Sequence, residues 1–307
     1  MLSFMVQQGV LQTSHQECVS RWLGPALWQV AATSMESRRS WSLPQQENRW
    51  HRFAGGRFQR YSAYGTSYES RPTPQLPWLD DKPASQAVVL APDIVPGNPA
   101  WDGSLAFEML LVGETAIAQR ASVLGSLAQA GDFCGGGVEG VPFELVDLSP
   151  PVAGSLAAEC LPAFPDAGEG LVERLTVRLN SPLFLNRWSA GQSYVGFDGP
   201  RFIELFQAAH HTLEALFAQY AQPLEADTQA LTQAAQQVAC EEQAFAPFQQ
   251  GGAARLTHQG CELRGLLGTA VFRKVPWSLI PWMLWGGRFR VGQHRVYGAG
   301  GWSLELG

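Results

Sequence analysis

The segment Arg288–Trp302, reading Arg-Phe-Arg-Val-Gly-Gln-His-Arg-Val-Tyr-Gly-Ala-Gly-Gly-Trp, constrains this chain more than any other stretch. Gly292, Gly298, Gly300 and Gly301 permit positive φ and let another part of the chain approach the backbone closely. Arg288, Arg290, Arg295 and His294 crowd the same residues, the composition of a loop that holds phosphate. A glycine-rich hairpin closing a β-sheet would use the same residues, so the segment alone leaves both readings open.

The 307 residues, 46% hydrophobic and 11% aromatic, suffice for one large core or two ordinary ones. No apolar run approaches the roughly 18 residues of a membrane span. Met1–Val10 lacks the basic start and cleavage site of a secretory signal, so a cytoplasmic protein without a membrane partner is expected. Cys18, Cys134, Cys160, Cys240 and Cys261 are scattered without a Cys-x-x-Cys pair. That pattern suggests neither a disulfide framework nor a zinc site; buried or idle thiols, no metal and no cofactor are expected.

The net charge of -6 argues against a polyanionic ligand until its distribution is read. Residues 1–71 carry eight arginines against four glutamates, and residues 255–307 seven basic against two acidic side chains. Residues 72–254 carry six basic and twenty-one acidic residues. If the fold brings the two ends together, they make one positive surface on an acidic body. Arginine supplies nineteen of the twenty-one basic residues. A GC-rich genome gives the same bias, but the arginine fork also suits bidentate phosphate contacts and base stacking.

Patterning defines the elements. Leu2–Val6 reads as a first strand and Cys18–Met35 as an amphipathic helix interrupted at Gly24-Pro25. Between about residues 36 and 71 comes a basic, aromatic arm in which Arg38, Arg39, Arg49, Arg52, Arg57 and Arg60 alternate with Trp41, Trp50, Phe53, Phe58, Tyr61, Tyr64 and Tyr68. Such mixing suits single-stranded nucleic acid, cations for the backbone and rings for the bases, although the rings can equally pack on a core. Ala87–Ala91 and Leu105–Val112 read as strands, Ile117–Ala130 as a helix and Val141–Leu148 as an alternating strand, with Gly135-Gly136-Gly137 turning before it. The order β-α-β-β-α-β is that of a ferredoxin-like domain.

Pro150–Gly170, with four prolines and three glycines, reads as a linker. The second half repeats the order less regularly. Leu171–Leu179 is a strand, Arg201–Gln219 an amphipathic helix, Thr228–Phe245 a second helix rich in Ala and Gln, and Glu262–Lys274 a long strand. Trp277–Trp285 is read as an aromatic turn in place of a helix, with Phe289–Tyr297 and Trp302–Leu306 finishing a sheet. The fold class is therefore α+β: tandem ferredoxin-like (RRM-like) domains, residues 1–160 and 161–307, with a C-terminal glycine-rich loop.

Leu179-Asn180-Ser181-Pro182-Leu183, Gly265-Leu266-Leu267-Gly268-Thr269-Ala270-Val271-Phe272, Leu284-Trp285-Gly286, Arg290-Val291-Gly292-Gln293-His294 and Tyr297-Gly298-Ala299-Gly300 follow one another through residues 171–307. In that order they resemble the C-terminal half of the CRISPR-associated RAMP proteins. Within that superfamily the chain is most similar to the Cas-six endoribonucleases that cut precursor CRISPR RNA; the first hundred residues match by domain order alone. The resemblance implies paired ferredoxin-like folds, a repeat stem-loop gripped across them, and a glycine-rich loop on the RNA. Gln293 stands where relatives commonly carry lysine.

The resemblance also implies metal-independent cleavage, with the 2′-hydroxyl attacking the adjacent phosphate to leave a cyclic phosphate and a free 5′-hydroxyl. That chemistry takes a base, an acid and cations for the charge developing on phosphate, and histidine titrates near neutrality. Of His15, His51, His210, His211, His258 and His294, the adjacent pair His210 and His211 lies in a helix and His258 at a strand entry, both structural placements. The resemblance implies a catalytic histidine near His51, between Arg49 and Arg52, which is the candidate catalytic residue, with Arg52 and with Tyr61 or Tyr64 as its partners; an arginine-driven site at Arg52, Arg57 or Arg60 competes. Expected RNA contacts are Arg38, Arg39, Arg49, Arg57, Arg60, Lys274, Arg288, Arg290, Gly292, Gln293, His294, Arg295, Gly298 and Gly300. Expected partners are CRISPR repeat RNA and other Cas effector subunits, and a non-catalytic RNA-binding RAMP subunit is the alternative to the nuclease.

Overall fold

A computed structural model describes residues 1–13, 58–62, 65–69, 88–93, 102–118, 120–128, 144–165, 170–185, 199–250, 263–292 and 295–307. The expected helix at residues 18–35 and most of the basic arm lie outside these. Within the arm, β2 (Phe58–Ser62) and β3 (Gly65–Glu69) pair as an antiparallel hairpin.

Two four-stranded patterns account for the rest. The first sheet contains β1 (Leu2–Gln12), β4 (Val88–Pro92), β5 (Ser104–Val112), β6 (Glu144–Leu148) and β7 (Val152–Leu156). β6 and β7 both run antiparallel to β1, opposite its C-terminal and N-terminal parts, and so act as one edge strand interrupted by Ser149-Pro150-Pro151. Proline cannot donate to a ladder and suits an edge. The spatial order β4-β5-β1-β6, with every neighbour antiparallel, is the 2-3-1-4 order of a ferredoxin-like sheet. β7 corrects the reading of residues 150–170 as linker throughout.

The second sheet contains β8 (Leu171–Leu179), β9 (Ala239–Gln250), β10 (Leu263–Pro276) and β11 (Trp302–Leu306) in the order β11-β8-β10-β9, the same arrangement again. Three expectations change here. The helix expected over residues 228–245 ends at Gln236, and β9 follows it. The expected aromatic turn is a 3-10 turn followed by a helix, Ile280–Phe289, with Pro281 in its first turn. Where a strand over Phe289–Tyr297 is expected, the described residues from 290 to 301 form turns and bends.

Described helices are α1 (Glu114–Ala118), α2 (Arg120–Ala128), α3 (Phe202–Tyr220), α4 (Thr228–Gln236) and α5 (Ile280–Phe289). Strand periodicity sorts the side chains of the first sheet into two layers. Val88, Leu90, Leu105, Phe107, Met109 and Leu111 are buried on the side of α1 and α2. Leu2, Phe4, Val6, Val89, Ala91, Leu110 and Val112 join a core shared with α3, α5 and the inner face of the second sheet. That core includes Phe202 edge-on to Phe272 at 5.2 Å, and Phe4 edge-on to both Trp285 (5.7 Å) and Phe289 (5.3 Å). The first strand therefore packs on the last helix, and the two ends of the sequence meet.

α5 approaches α3 through Gly286, where a Cβ would overlap Ala209, and approaches β11 through Gly287, which faces Trp302. No helix among the described residues is long and apolar enough to cross a membrane. Cys160 and Cys240 are free and exposed, so at these two positions the thiols are not buried.

Candidate nucleic-acid interface

The end of α5 and the turns after it meet the first sheet. The helix stops because Arg290 adopts φ 62°, and the chain reverses through Gly292 (φ 79°), a 3-10 turn at Arg295–Tyr297, Gly298 (φ 82°) and Gly300 (φ 73°). Gly298 lies against Ala91 of β4, and a Cβ there would overlap the Ala91 Cα. The glycine segment thus packs directly on β4 of the first sheet.

The glycine amides are used inside the turn. Gly298 N–H donates to Arg295 O (2.9 Å), Gly300 N–H to Pro182 O (2.9 Å), and Gly301 N–H to Ser181 Oγ (2.9 Å). Val291 N–H donates to Gly300 O (3.0 Å). Gly298 and Gly300 are buried, so their contribution is to the shape of the turn and not an amide cradle open to phosphate.

The arginines separate in the same way. Arg295 is 3% exposed and donates from Nε to Phe289 O (2.6 Å) and Arg290 O (3.0 Å), bracing the helix end from within. Burial pulls its guanidinium down to about 10, with Tyr220 opposing. Arg290 donates from Nη1 to Gly298 O (2.6 Å) and Ser181 Oγ (3.2 Å), while its Nη2 stands 3.7 Å from Glu108 Oε1. Burial lowers its pKa as well, opposed by Glu108 and reinforced by Arg288. Both are among the expected RNA contacts, and in the structure both donate to main-chain carbonyls at the end of α5. Arg288 is the exposed one, with Nη1 donating to Glu108 Oε2 at 3.2 Å.

Glu108, on β5, was not singled out in the sequence, although a lone carboxylate in the apolar run Ser104–Val112 is a signal. In the ladder it lies beside Gln8 and Ala91, on the face that carries Phe4 and Leu110 toward α5. Asp93 completes the junction. Partial desolvation pushes its carboxyl up, Arg290 pulls it down and Glu108 adds repulsion. Two guanidiniums thus share the Glu108 carboxylate where the first sheet joins the end of α5, with Asp93 in electrostatic reach.

Lys274 is exposed in the opposite half of β10 with φ 54°, a left-handed conformation unusual for lysine. It is far along the strand from Leu266, which bridges to Leu183 beside the glycine turn. The structure therefore does not bring Lys274 to the junction. On the outer face of the second sheet Arg174 and Arg273 are matched to Glu241, and Arg178 to Glu305. Arg60 lies on β2. His51, Arg52, Tyr64, Arg38, Arg39, Arg49, Arg57, Gln293 and His294 lie outside the described residues. His210 is buried, stacked on Trp282 (centroids 4.6 Å) with Nδ1 3.3 Å from Glu214 Oε2, a placement inside the α3–α5 contact. Among the described residues no group of three or more His, Cys, Asp or Glu side chains is arranged to hold a metal.

The pair of ferredoxin-like sheets enclosing α3 and α5 is the fold of solved Cas6 structures. Thermus thermophilus Cas6 superimposes with a TM-score of 0.51, at 14% identity over 99% of each chain. A Cas6 product complex gives 0.53, at 15% identity over 99% of this chain and 100% of the other. A chain of a partial Cas6-RT-Cas1–Cas2 complex gives 0.53 at 12% identity, spanning 100% of this chain and 46% of that one. No protein-family model matches the sequence, and no curated protein matches it.

Proposed function

We propose that this chain binds the stem-loops of CRISPR repeats and cleaves precursor CRISPR RNA, with residues 1–160 and 161–307 as its two lobes. The observation that carries the reading is the end-to-end likeness, over 99% of the chain, to Cas6 structures obtained with product and with a substrate mimic. The packing of Phe4 of β1 on Trp285 and Phe289 of α5 supports it, because it brings the start of the chain, ahead of the basic arm, to the basic C-terminal region. RNA contacts then fall to the exposed Arg288 and Lys274 and to basic and polar residues of the arm and the glycine segment. These are Arg288, Lys274, Gln293 and His294, together with Arg38, Arg39, Arg49, Arg57 and Arg60 of the arm, while Gly292, Gly298 and Gly300 shape the turn between them.

The reaction is attack of a 2′-hydroxyl on the neighbouring phosphate, breaking the bond to the 5′-oxygen and leaving a 2′,3′-cyclic phosphate and a 5′-hydroxyl. His51 takes or returns the proton, Tyr64 positions it, and Arg52 meets the developing charge. Other Cas subunits receive the bound product in an effector complex.

Incubating the protein with labelled repeat RNA in EDTA tests the reading. Cleavage to a cyclic-phosphate end supports the nuclease. Binding without cleavage identifies a non-catalytic RNA-binding subunit instead, and no salt-dependent binding removes both.

A further inference from the structure

We propose that Glu108 is an internal substitute for phosphate, holding Arg288 until RNA takes it and thereby setting how strongly the junction discriminates between RNAs. The inference rests on the RNA-binding reading above. Arg288 stands in the last turn of α5 and is 44% exposed; among the described residues it donates to Glu108, 180 residues earlier in the chain and on the first sheet. A carboxylate and a phosphate offer the guanidinium fork the same kind of paired acceptor oxygens, so one can replace the other on Arg288.

Arg290 makes the exchange possible. It is held by Gly298 O and Ser181 Oγ and keeps its own approach to the second oxygen of Glu108. When phosphate displaces Glu108 from Arg288, Glu108 therefore retains Arg290, and no carboxylate is stranded at the junction. The exchange still has a cost, because the Glu108–Arg288 contact is lost and a phosphate arrives near Glu108 and Asp93. An RNA with many contacts elsewhere absorbs that cost, and an unstructured RNA with few does not. Glu108 is in this sense a device against the wrong partner.

The test is binding of a repeat hairpin and of poly(U) of equal length across a salt series, in the full chain. Glu108→Gln should bind poly(U) about two- to fivefold tighter, with a salt slope steeper by about 0.7 for one phosphate gained. Its affinity for the hairpin should change less, and adding Arg288→Gln should remove the gain. Arg288→Gln alone, which spares the buried braces, should weaken hairpin binding more than poly(U) binding. Unchanged or weaker poly(U) binding by a folded Glu108→Gln protein overturns the proposal, as does a gain that survives Arg288→Gln or an equal loss on both probes with Arg288→Gln alone. If the unaltered protein binds neither RNA, the RNA-binding reading itself has failed and this proposal with it.

Discussion

Gly298, in the C-terminal turn, lies against Ala91 in the first sheet so closely that a Cβ on the glycine would overlap the alanine Cα. The contact combines a left-handed φ of 82° with the absence of a side chain. Gly298→Ala should therefore cost about 2–4 kcal/mol, from backbone strain and overpacking together. Gly170→Ala is the control, since its Cβ would meet Trp277 Cδ1 at an ordinary 3.6 Å, and it should stay within about 0.5 kcal/mol of the unaltered chain. Urea denaturation of the two variants measures the difference.

Arg288 and Arg290 share Glu108 but should respond oppositely to replacement. Arg290 is largely buried, so Arg290→Gln removes the guanidinium donor to Gly298 O, leaves Ser181 Oγ to Gly301 N–H and Glu108 to Arg288, and should cost about 3–5 kcal/mol. Arg288 is mostly in water, and Arg288→Gln should cost about 0–1 kcal/mol while weakening RNA binding. Chemical denaturation alongside filter binding separates the two. Equal destabilisation by both would contradict the division into brace and contact.

The elements that the sequence announces are those buried on one face. Leu171–Leu179 alternates because Leu175, Val177 and Leu179 face α3 and α5 while Arg174 and Arg178 face water. β9 is hidden for the opposite reason. An edge strand exposed along most of its length, Ala-Cys-Glu-Glu-Gln-Ala-Phe-Ala-Pro-Phe-Gln-Gln, has no core to impose a period, and only its ladder to β10 makes it a strand. α5 is concealed by Pro281, Gly286 and Gly287, which lower helix propensity. Tertiary packing overrides that propensity, because Ala209 and Trp302 leave no room for larger residues. In the candidate site the glycines and arginines are legible as a cluster, but spacing cannot say which guanidinium turns inward. That depends on Ser181, Phe289 O and Glu108, distant partners supplied by the fold.

Acid should act on two carboxyls with opposite sign. Asp93 is raised on folding, so its ionised form costs stability above the ordinary value of 3.8 and that cost disappears as the pH falls. Asp93→Asn should therefore melt higher than the unaltered chain at pH 7, with the advantage gone by about pH 3. Glu241 is lowered, by its hydrogen bond from Arg273 and then by the charges of Arg273 and Arg174, so it stabilises above 4.5 and that contribution is lost as pH falls through its depressed value. Glu241→Gln should melt lower at pH 7 and converge on the unaltered chain in acid. Melting curves of the three proteins across pH 3–8 check both signs; a shared sign would refute the assignment of one of them.

Histidine chemistry and histidine contact can be told apart by which constant moves. His51 belongs to the arginine-rich arm and His294 to the glycine turn between Gly292 and Arg295, whose neighbours Arg290 and Arg295 are already committed to internal bonds. A proton-transfer group contributes about 10²–10⁴-fold to rate, whereas a phosphate contact at the turn contributes to affinity. His51→Ala should reduce single-turnover cleavage by that range with Kd for the hairpin within about twofold of the unaltered chain. His294→Ala should weaken binding several-fold while saturating RNA restores the rate. The pH–rate profile adds an independent arm: it should lose the limb belonging to His51 in the first variant and keep it in the second. If His51→Ala cuts normally, the proton must be handled elsewhere, and Arg52, Arg57 and Arg60 become the residues to replace next.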